Sequence, residues 1–370
     1  MIDNRKIDSY QFFVLVFIFT IGNTIINAPA LIVYHAKQDA WISSILALLF
    51  GVTLVLIYSS LGTKFPDKTI TEYMELLLGK AIGKVISILL VVYFFIIASL
   101  MLRQLGDFLS THLIPETPTI AIHLLYMMVI LYGTFFGVET IARSGEIIFP
   151  ILMLMLLFLF VFLTKEINFE NLKPVLEKGW GPSLRGTIAH IGIPYLQMVV
   201  FLMFFPFFKQ PNKIHKPFLL GTSIAGFFLI LSTLFSILVV GVVLSEFKQY
   251  PTYFLAQKIS IADIIDRVEA VLAFIWLITI FFKIIILLYA ANLGITQVFN
   301  LRQSRPFLFP LGLLLLLVTQ FITENVISFN NFFNKVIPPY TLTFGLLLPL
   351  FLLIVYRVRR KKFETQAEQS

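Results

Sequence analysis

Long, continuous apolar runs constrain this chain more than any other feature. Ten can be read along its 370 residues: Tyr10–Tyr34, Trp41–Leu61, Val85–Leu105, Ile120–Gly137, Ile147–Leu163, Thr187–Phe208, Phe218–Leu244, Val268–Thr296, Phe307–Ile322 and Tyr340–Tyr356. Each approaches or exceeds the ~20 residues an α-helix needs to cross a hydrocarbon core of ~30 Å. In lipid only helices and closed barrels satisfy their own backbone polar groups. The runs do not alternate, which excludes the barrel pattern. Composition agrees, with 58% hydrophobic and 13% charged residues, against about 25% charged in a soluble domain. The expectation is an all-α integral membrane protein with ten transmembrane helices, forming a single membrane domain over residues 1–370.

Lysine and arginine then set the orientation, because they accumulate in short cytoplasmic loops. With the N-terminus inside, the inner segments hold Lys64, Lys68, Lys80, Lys84, Lys209, Lys213, Lys216 and the run Arg357–Lys362. The outer segments hold a sparser set, including Lys37, Lys165, Lys178, Lys248, Lys258 and Arg267. Both termini are predicted cytoplasmic, and residues 357–370 form a basic tail able to contact anionic lipid. The net charge of +8 is therefore assigned to loops and not to nucleic acid. The polar start, Met1–Gln11, leads into the first run with no small-residue cleavage site, so no cleaved signal peptide is expected. Two long outer segments, Lys165–Gly186 and Ser245–Asp266, could lie over the outer mouth, and Thr69–Lys84 reads as an amphipathic interfacial helix.

Residues 10–164 and 187–356 each hold five runs, and an odd number per half gives the halves opposite orientation in the membrane. The opening helix of each half looks interrupted. The first contains Gly22-Asn23-Thr24 and then Pro29; the sixth contains Gly192-Ile193-Pro194. Glycine weakens a helix interior and proline removes a backbone donor. Such residues also merely kink membrane helices, but two breaks at matching positions in inverted halves favour a midplane binding site. The half-helix after Gly22 offers free N–H groups suited to a carboxylate. Unwound carbonyls near Gly192 suit an ammonium group. Gly22, Asn23, Thr24, Gly192, Pro194 and Gln197 are the candidate ligand-binding residues.

Lys283 lies mid-helix in an apolar run. A charge there costs about 2.5–3.5 kcal/mol on insertion scales, so it is expected to face the interior with a partner. It could stand where a sodium-coupled relative would hold its ion. Arg103 and Asp107, four apart, read as a local ion pair. Glu324 reads as interfacial. His123 and His190 have no companions at metal-ligand spacing, and Glu139, Arg143 and Glu146 read as a structural latch. There are no cysteines, no zinc-binding helix motif, no phosphate-cradling lysine loop and no serine elbow. The chain is not expected to be an enzyme, and no cofactor or metal is expected.

Several short stretches, in order along the ten runs, carry a resemblance: Gly137-Val138-Glu139-Thr140-Ile141-Ala142-Arg143 with Glu146 and Pro150, Leu172-Lys173-Pro174-Val175, Tyr250-Pro251-Thr252, Arg267-Val268-Glu269-Ala270, Lys283, and Leu288-Tyr289-Ala290-Ala291. Over residues 8–360 the chain resembles the B-subunit family of bacterial spore nutrient-germinant receptors, within the amino acid–polyamine–organocation transporter superfamily. The resemblance implies a 5+5 inverted repeat of LeuT-like form with discontinuous first and sixth helices. It implies residence in the spore inner membrane, an A subunit and a lipoprotein C subunit as partners, and the task of sensing a small nutrient, often an amino acid, to trigger germination. An amino-acid permease is the alternative: a uniporter, an exchanger or a proton-coupled carrier. One departure bears on the ligand. Where that family often reads an aromatic residue followed by Pro-Phe-Gly-Glu, this chain reads Ile193-Pro194-Tyr195-Leu196-Gln197. The missing acid leaves a different amino acid, a sugar or another neutral nutrient open.

Overall fold

The computed structural model describes residues 6–257, 269–323, 328–329, 332 and 335–367, with 360–367 as backbone only. Lys258, Arg267, Val268 and Glu324, and the side chains of Arg360, Lys361 and Lys362, lie outside the described residues. The described chain is helical apart from one isolated bridge between Ile7 and Phe208. Among the described residues, seven helices are long and apolar enough to cross a membrane: Thr24–Gly62, Lys80–Leu113, Val138–Glu166, Trp180–Met203, Pro211–Val240, Glu269–Val298 and Ile337–Arg359. Three shorter apolar helices, Ser9–Ile21, Thr119–Phe135 and Arg305–Phe321, accompany them.

Local chemistry sets the helix ends. The first helix, α1 (Ser9–Ile21), opens on a capping box in which Asp8 accepts from the Gln11 N–H and Gln11 answers to the Asp8 N–H. It ends at Gly22, and α2 (Thr24–Ala36) and α3 (Ala40–Gly62) follow. The expected interfacial helix is shorter than its sequence suggests. α4 (Ile70–Leu78) stops at Gly79, whose φ of 89° turns the chain, and Lys80 and Lys84 belong to α5 (Lys80–Phe108). α6 (Thr119–Phe135) and α7 (Val138–Leu163) follow. α8 (Trp180–Ile191) begins seven residues before the apolar run read from Thr187. Gly179 at φ 68° makes the entry turn, and Pro182 is tolerated in a first turn that needs no intrahelical donor. α9 (His215–Phe235) passes through a π turn, Ser236–Val240, to Gly241. Two short helices, α10 (Val242–Phe247) and α11 (Pro251–Ala256), precede α12 (Glu269–Val298) and α13 (Arg305–Phe321). The last helix runs from Ile337 through a π turn into Leu348–Ala367.

Ordinary amphipathicity does not tell inside from outside here. On α7, Ile147, Ile151, Leu154, Leu157 and Val161 are exposed, while Phe149, Leu152, Leu156 and Leu159 on the other face are buried. Lipid is as apolar as the interior, so helices associate through small residues and polar contacts. The ring of Tyr195 packs against Gly51, where an added Cβ would overlap it, and the ring of Phe205 packs against Gly62 with the same consequence. The centre of the molecule is α1, enclosed by α7, α9 and α12, with α12 packed along α5 and α2 packed along α8. On the predicted inner face, Ile7 exchanges backbone hydrogen bonds with Phe207 and Lys209, and the Gln11 amide donates to Glu146 at 2.9 Å.

Candidate functional site

The chain turns at Gly22, with φ +29° and ψ −128°, before α2 begins. Its N–H still closes onto Ile18 at 2.9 Å, but the helix direction is lost. The carbonyl released by this turn, and the one that Pro29 inside α2 leaves without a donor four residues earlier, find partners on other helices. Gly22 O accepts from the Thr279 hydroxyl at 3.1 Å. Ile25 O accepts from both Ser232 and Thr252, each at 2.9 Å. At the start of α2, Asn23 makes no side-chain cap, so its side chain does not cover the first N–H groups, and the positive end of the helix dipole faces the turn. The Thr24 hydroxyl is buried there without a described partner.

Lys283, on α12, fills the space that Gly22 leaves. A Cβ at Gly22 would stand 2.6 Å from Lys283 Cδ. The ammonium is fully buried, donates to Asn23 Oδ1 at 2.9 Å and to Ile193 O at 3.3 Å, and lies 4.9 Å from the centroid of the Phe19 ring. Asn23 in turn donates to Gln104 Oε1 of α5 at 3.3 Å. The other buried charged residues described, Asp39 and Asp107, are used elsewhere, by the Leu176 N–H and by Arg103. Lys283 is thus held by neutral dipoles and an aromatic face. A fully buried ammonium needs several good contacts, since removing one partner of a buried charge costs roughly 3–5 kcal/mol.

The second turn supplies one of those contacts. α8 ends at Ile191. Gly192 keeps helical angles, φ −61° and ψ −29°. Pro194 has no N–H to continue the ladder, and the chain resumes as a 3-10 helix, Leu196–Met203. Among the described hydrogen bonds no backbone N–H outside the helices reaches Ile193 O, which accepts from Lys283 instead. Gln197 is fully buried with neither amide atom hydrogen-bonded among the described residues; both ring nitrogens of His190 and the Tyr195 hydroxyl share that condition. The Tyr58 hydroxyl lies 2.5 Å from Gly345 O and 3.3 Å from Leu196 O, pinning α3 and the last helix to this strand of chain.

The structure therefore brings Gly22, Asn23 and Lys283 together with the backbone between Gly192 and Pro194, and leaves Thr24 beside them. Gln197 lies beyond, with no described contact to Lys283. Sequence reading missed Gln104, Thr279, Ser232 and Thr252. Thr279 had a signal, since it lies one turn before Lys283 on the same face of α12; Ile193 O lies among the carbonyls near Gly192 that the sequence marked as suited to an ammonium group. Away from the site, Arg103 pairs with Asp107 at 3.0 Å and also donates to Thr323 O. Arg143 pairs with Glu139 at 2.7 Å, while Glu146 instead takes the Gln11 amide. His123 meets Gln320 at 2.7 Å, and no group of metal-ligating side chains occurs among the described residues.

Comparison with known proteins bears on what this arrangement does. The family model described as "Spore germination protein" matches residues 6–327. Spore germination protein KB of Bacillus subtilis (strain 168) is 30% identical over 366 residues, covering 98% of this chain and 97% of that protein. Among solved structures, MHP1, a nucleobase-cation-symport-1 family transporter in a closed conformation, superposes with a TM-score of 0.69 at 14% identity, covering 97% of this chain and 80% of that one. MhsT in complex with L-phenylalanine gives 0.61 at 14% identity, covering 94% and 97%. These likenesses show the fold, an all-helical LeuT-type transporter fold in a multi-pass membrane protein.

Proposed function

Because this chain belongs to the spore germination protein family, we propose that it is the nutrient-sensing B subunit of a germinant receptor. It binds a small nutrient where Gly22-Asn23-Thr24 and Gly192-Pro194 face each other and passes the resulting change of shape to partner subunits. The observation that carries this reading is the contact of Lys283 with both turns at once, to Asn23 and to Ile193 O. Any solute that enters between the turns must engage or displace that ammonium, so binding and helix geometry are coupled. A ligand shifts such an equilibrium only by its differential affinity for the two states.

In this reading α1 and α2 are one span interrupted at Gly22, α8 and the 3-10 segment after it are another, and the ten spans form two inverted halves, residues 10–164 and 187–356. Both termini are cytoplasmic, the membrane is the spore inner membrane, and the partners are an A subunit and a lipoprotein C subunit. The uncapped start of α2 receives a carboxylate. Lys283 stands in for the sodium ion of cation-coupled relatives. The oxygens such an ion would take are those the ammonium now holds, Asn23 Oδ1 and Ile193 O, while the carbonyls of Gly22 and Ile25 already accept from Thr279, Ser232 and Thr252. Gln197 offers a neutral contact for the rest of the ligand. A carboxylate-bearing nutrient such as an amino acid fits this set.

A second reading is favoured by the likeness to MHP1: a permease working as a uniporter, an exchanger or a proton-coupled carrier. Uptake and binding of radiolabelled amino acids, measured side by side in reconstituted protein, separate the two. Binding without uptake supports the receptor; saturable uptake by the subunit alone overturns it in favour of the permease.

A further inference from the structure

Asn23, Gln104 and Lys283 form one hydrogen-bonded layer between the start of α2, α5 and α12. Long side chains lean toward the N-terminus of their helix, so the Lys283 ammonium stands beside Thr279, whose hydroxyl reaches Gly22 O. One helical turn from Asn23, Gln104 and Thr279, toward the other end of the molecule from Ile7, lie Asn27, Phe108 and Trp276. The rings of Phe108 and Trp276 meet with centroids 4.7 Å apart, which sets this second layer over the first. Thr24 and Asn27 are three apart and share a face of α2. Thr24 and Trp276 are fully buried. The Thr24 hydroxyl, the Asn27 amide nitrogen and the Trp276 indole nitrogen are shielded from solvent and have no hydrogen-bond partner among the described residues. Buried polar side chains are otherwise paired in the large majority of cases, and a buried indole N–H usually finds an acceptor. Beyond them, Tyr250 and Tyr253 close on Phe108 at 5.1 and 5.2 Å, so rings cover the layer. The nitrogens of Asn27 and Trp276 can only donate, whereas the Thr24 hydroxyl can also accept. Lys283 is the one buried lysine or arginine among the described residues. A second carboxylate in this layer would therefore have no cation of its own to meet, and a neutral group that carries both an acceptor and a donor suits it better.

We propose that Thr24, Asn27 and Trp276 form the subsite for the nutrient's side chain, and that this side chain is a carboxamide. Its carbonyl oxygen accepts from Asn27 and Trp276, and its amide nitrogen donates to the Thr24 hydroxyl. The proposal rests on the buried site described above, which holds the nutrient's carboxylate at the start of α2, and it names the class of amino acid that the site selects. The two layers are one helical turn apart, about 5.4 Å, a span that the short side chain of asparagine or glutamine bridges.

The test is equilibrium dialysis of the purified full-length chain with two near-isosteric pairs of 14C-labelled amino acids, L-asparagine with L-leucine and L-glutamine with L-methionine. The parent is expected to bind one carboxamide at least about tenfold more tightly than its apolar counterpart, the scale set by a buried polar group left unpaired. Asn27→Leu and Trp276→Phe are each expected to erase that preference by weakening the carboxamide alone, with the apolar counterpart bound as before. Thr24→Val, which keeps the shape of the side chain, is expected to do the same, and thermal unfolding in detergent identifies the variants that are folded. Equal loss of both members of a pair marks a structural role and overturns the assignment of that residue. Equal affinity of the parent for both members of each pair overturns the carboxamide subsite, as does a preference that all three variants keep. If the chain binds a uniformly labelled amino-acid mixture but none of these four, the side-chain assignment falls and the buried site stands. A carboxamide preference that persists in Gly22→Leu places the ligand away from the turns and removes both readings.

Discussion

The ammonium of Lys283 donates to the side-chain carbonyl of Asn23 at 2.9 Å, across 260 positions of sequence. The contact falls at the point where α1 gives way to α2, and its second arm reaches Ile193 O after α8. One side chain from α12 therefore ties both turns of the chain, and the clearest predictions concern that tie.

Lys283→Met keeps most of the length and removes the charge. It leaves Asn23 Oδ1 and Ile193 O without their donor, a gap that sodium can fill. The variant is expected to reach the membrane and either to lose its nutrient response or to respond only in the presence of sodium. Germination assays in sodium and in potassium buffers check this. A response equal to that of the parent in both buffers, from a normally accumulated protein, would falsify the role given to the lysine.

Gly22 tests the turn itself. With φ at +29° and Lys283 Cδ and Phe19 O within 2.7 Å of any added Cβ, even Gly22→Ala strains the backbone, at about 1–2 kcal/mol from the left-handed conformation alone. It is expected to unfold at lower temperature in detergent, and Gly22→Leu is expected to abolish the nutrient response while the protein stays in the membrane. A leucine variant with a normal dose response places the ligand elsewhere.

Tyr58 tests the packing around the second turn. Tyr58→Phe removes the single O–H that lies 2.5 Å from Gly345 O and 3.3 Å from Leu196 O, and so takes one buried hydrogen bond from this junction. An unsatisfied buried polar group costs about 1–3 kcal/mol, so a lowered unfolding midpoint is expected in thermal or denaturant titration. An unchanged midpoint means that these bonds add nothing net to stability.

Orientation is open to direct chemistry, because the chain has no native cysteine. A single cysteine replacing Gly179 is expected to react with a membrane-impermeant maleimide added outside intact cells. One replacing Asn212 is expected to react only after the membrane is opened. The reverse pattern overturns the orientation drawn from lysine and arginine.

Run length and composition by themselves determined that the chain is helical and lies in a membrane, because a run of ~20 apolar residues has no other stable form in lipid. The sequence also marked its own anomalies, Gly22, Pro194 and Lys283, since each breaks a local rule inside an apolar helix. It could not say what those residues touch. Asn23 and Gln104 are ordinary carboxamides until folding sets them side by side. The hydroxyls of Thr279, Ser232 and Thr252 become carbonyl caps only because α12, α9 and α11 close around the turn. The start of α8 at Trp180, before its apolar run, was equally hidden. Its first turn, Trp180-Gly181-Pro182-Ser183, carries two poor helix formers, and only the buried face of Ser183, Gly186 and Thr187 against α3 explains why it is helical. Hydropathy measures transfer into lipid residue by residue. In lipid the choice of neighbours rests on close approach and on satisfying stray polar groups, and those partners meet only when distant segments fold together.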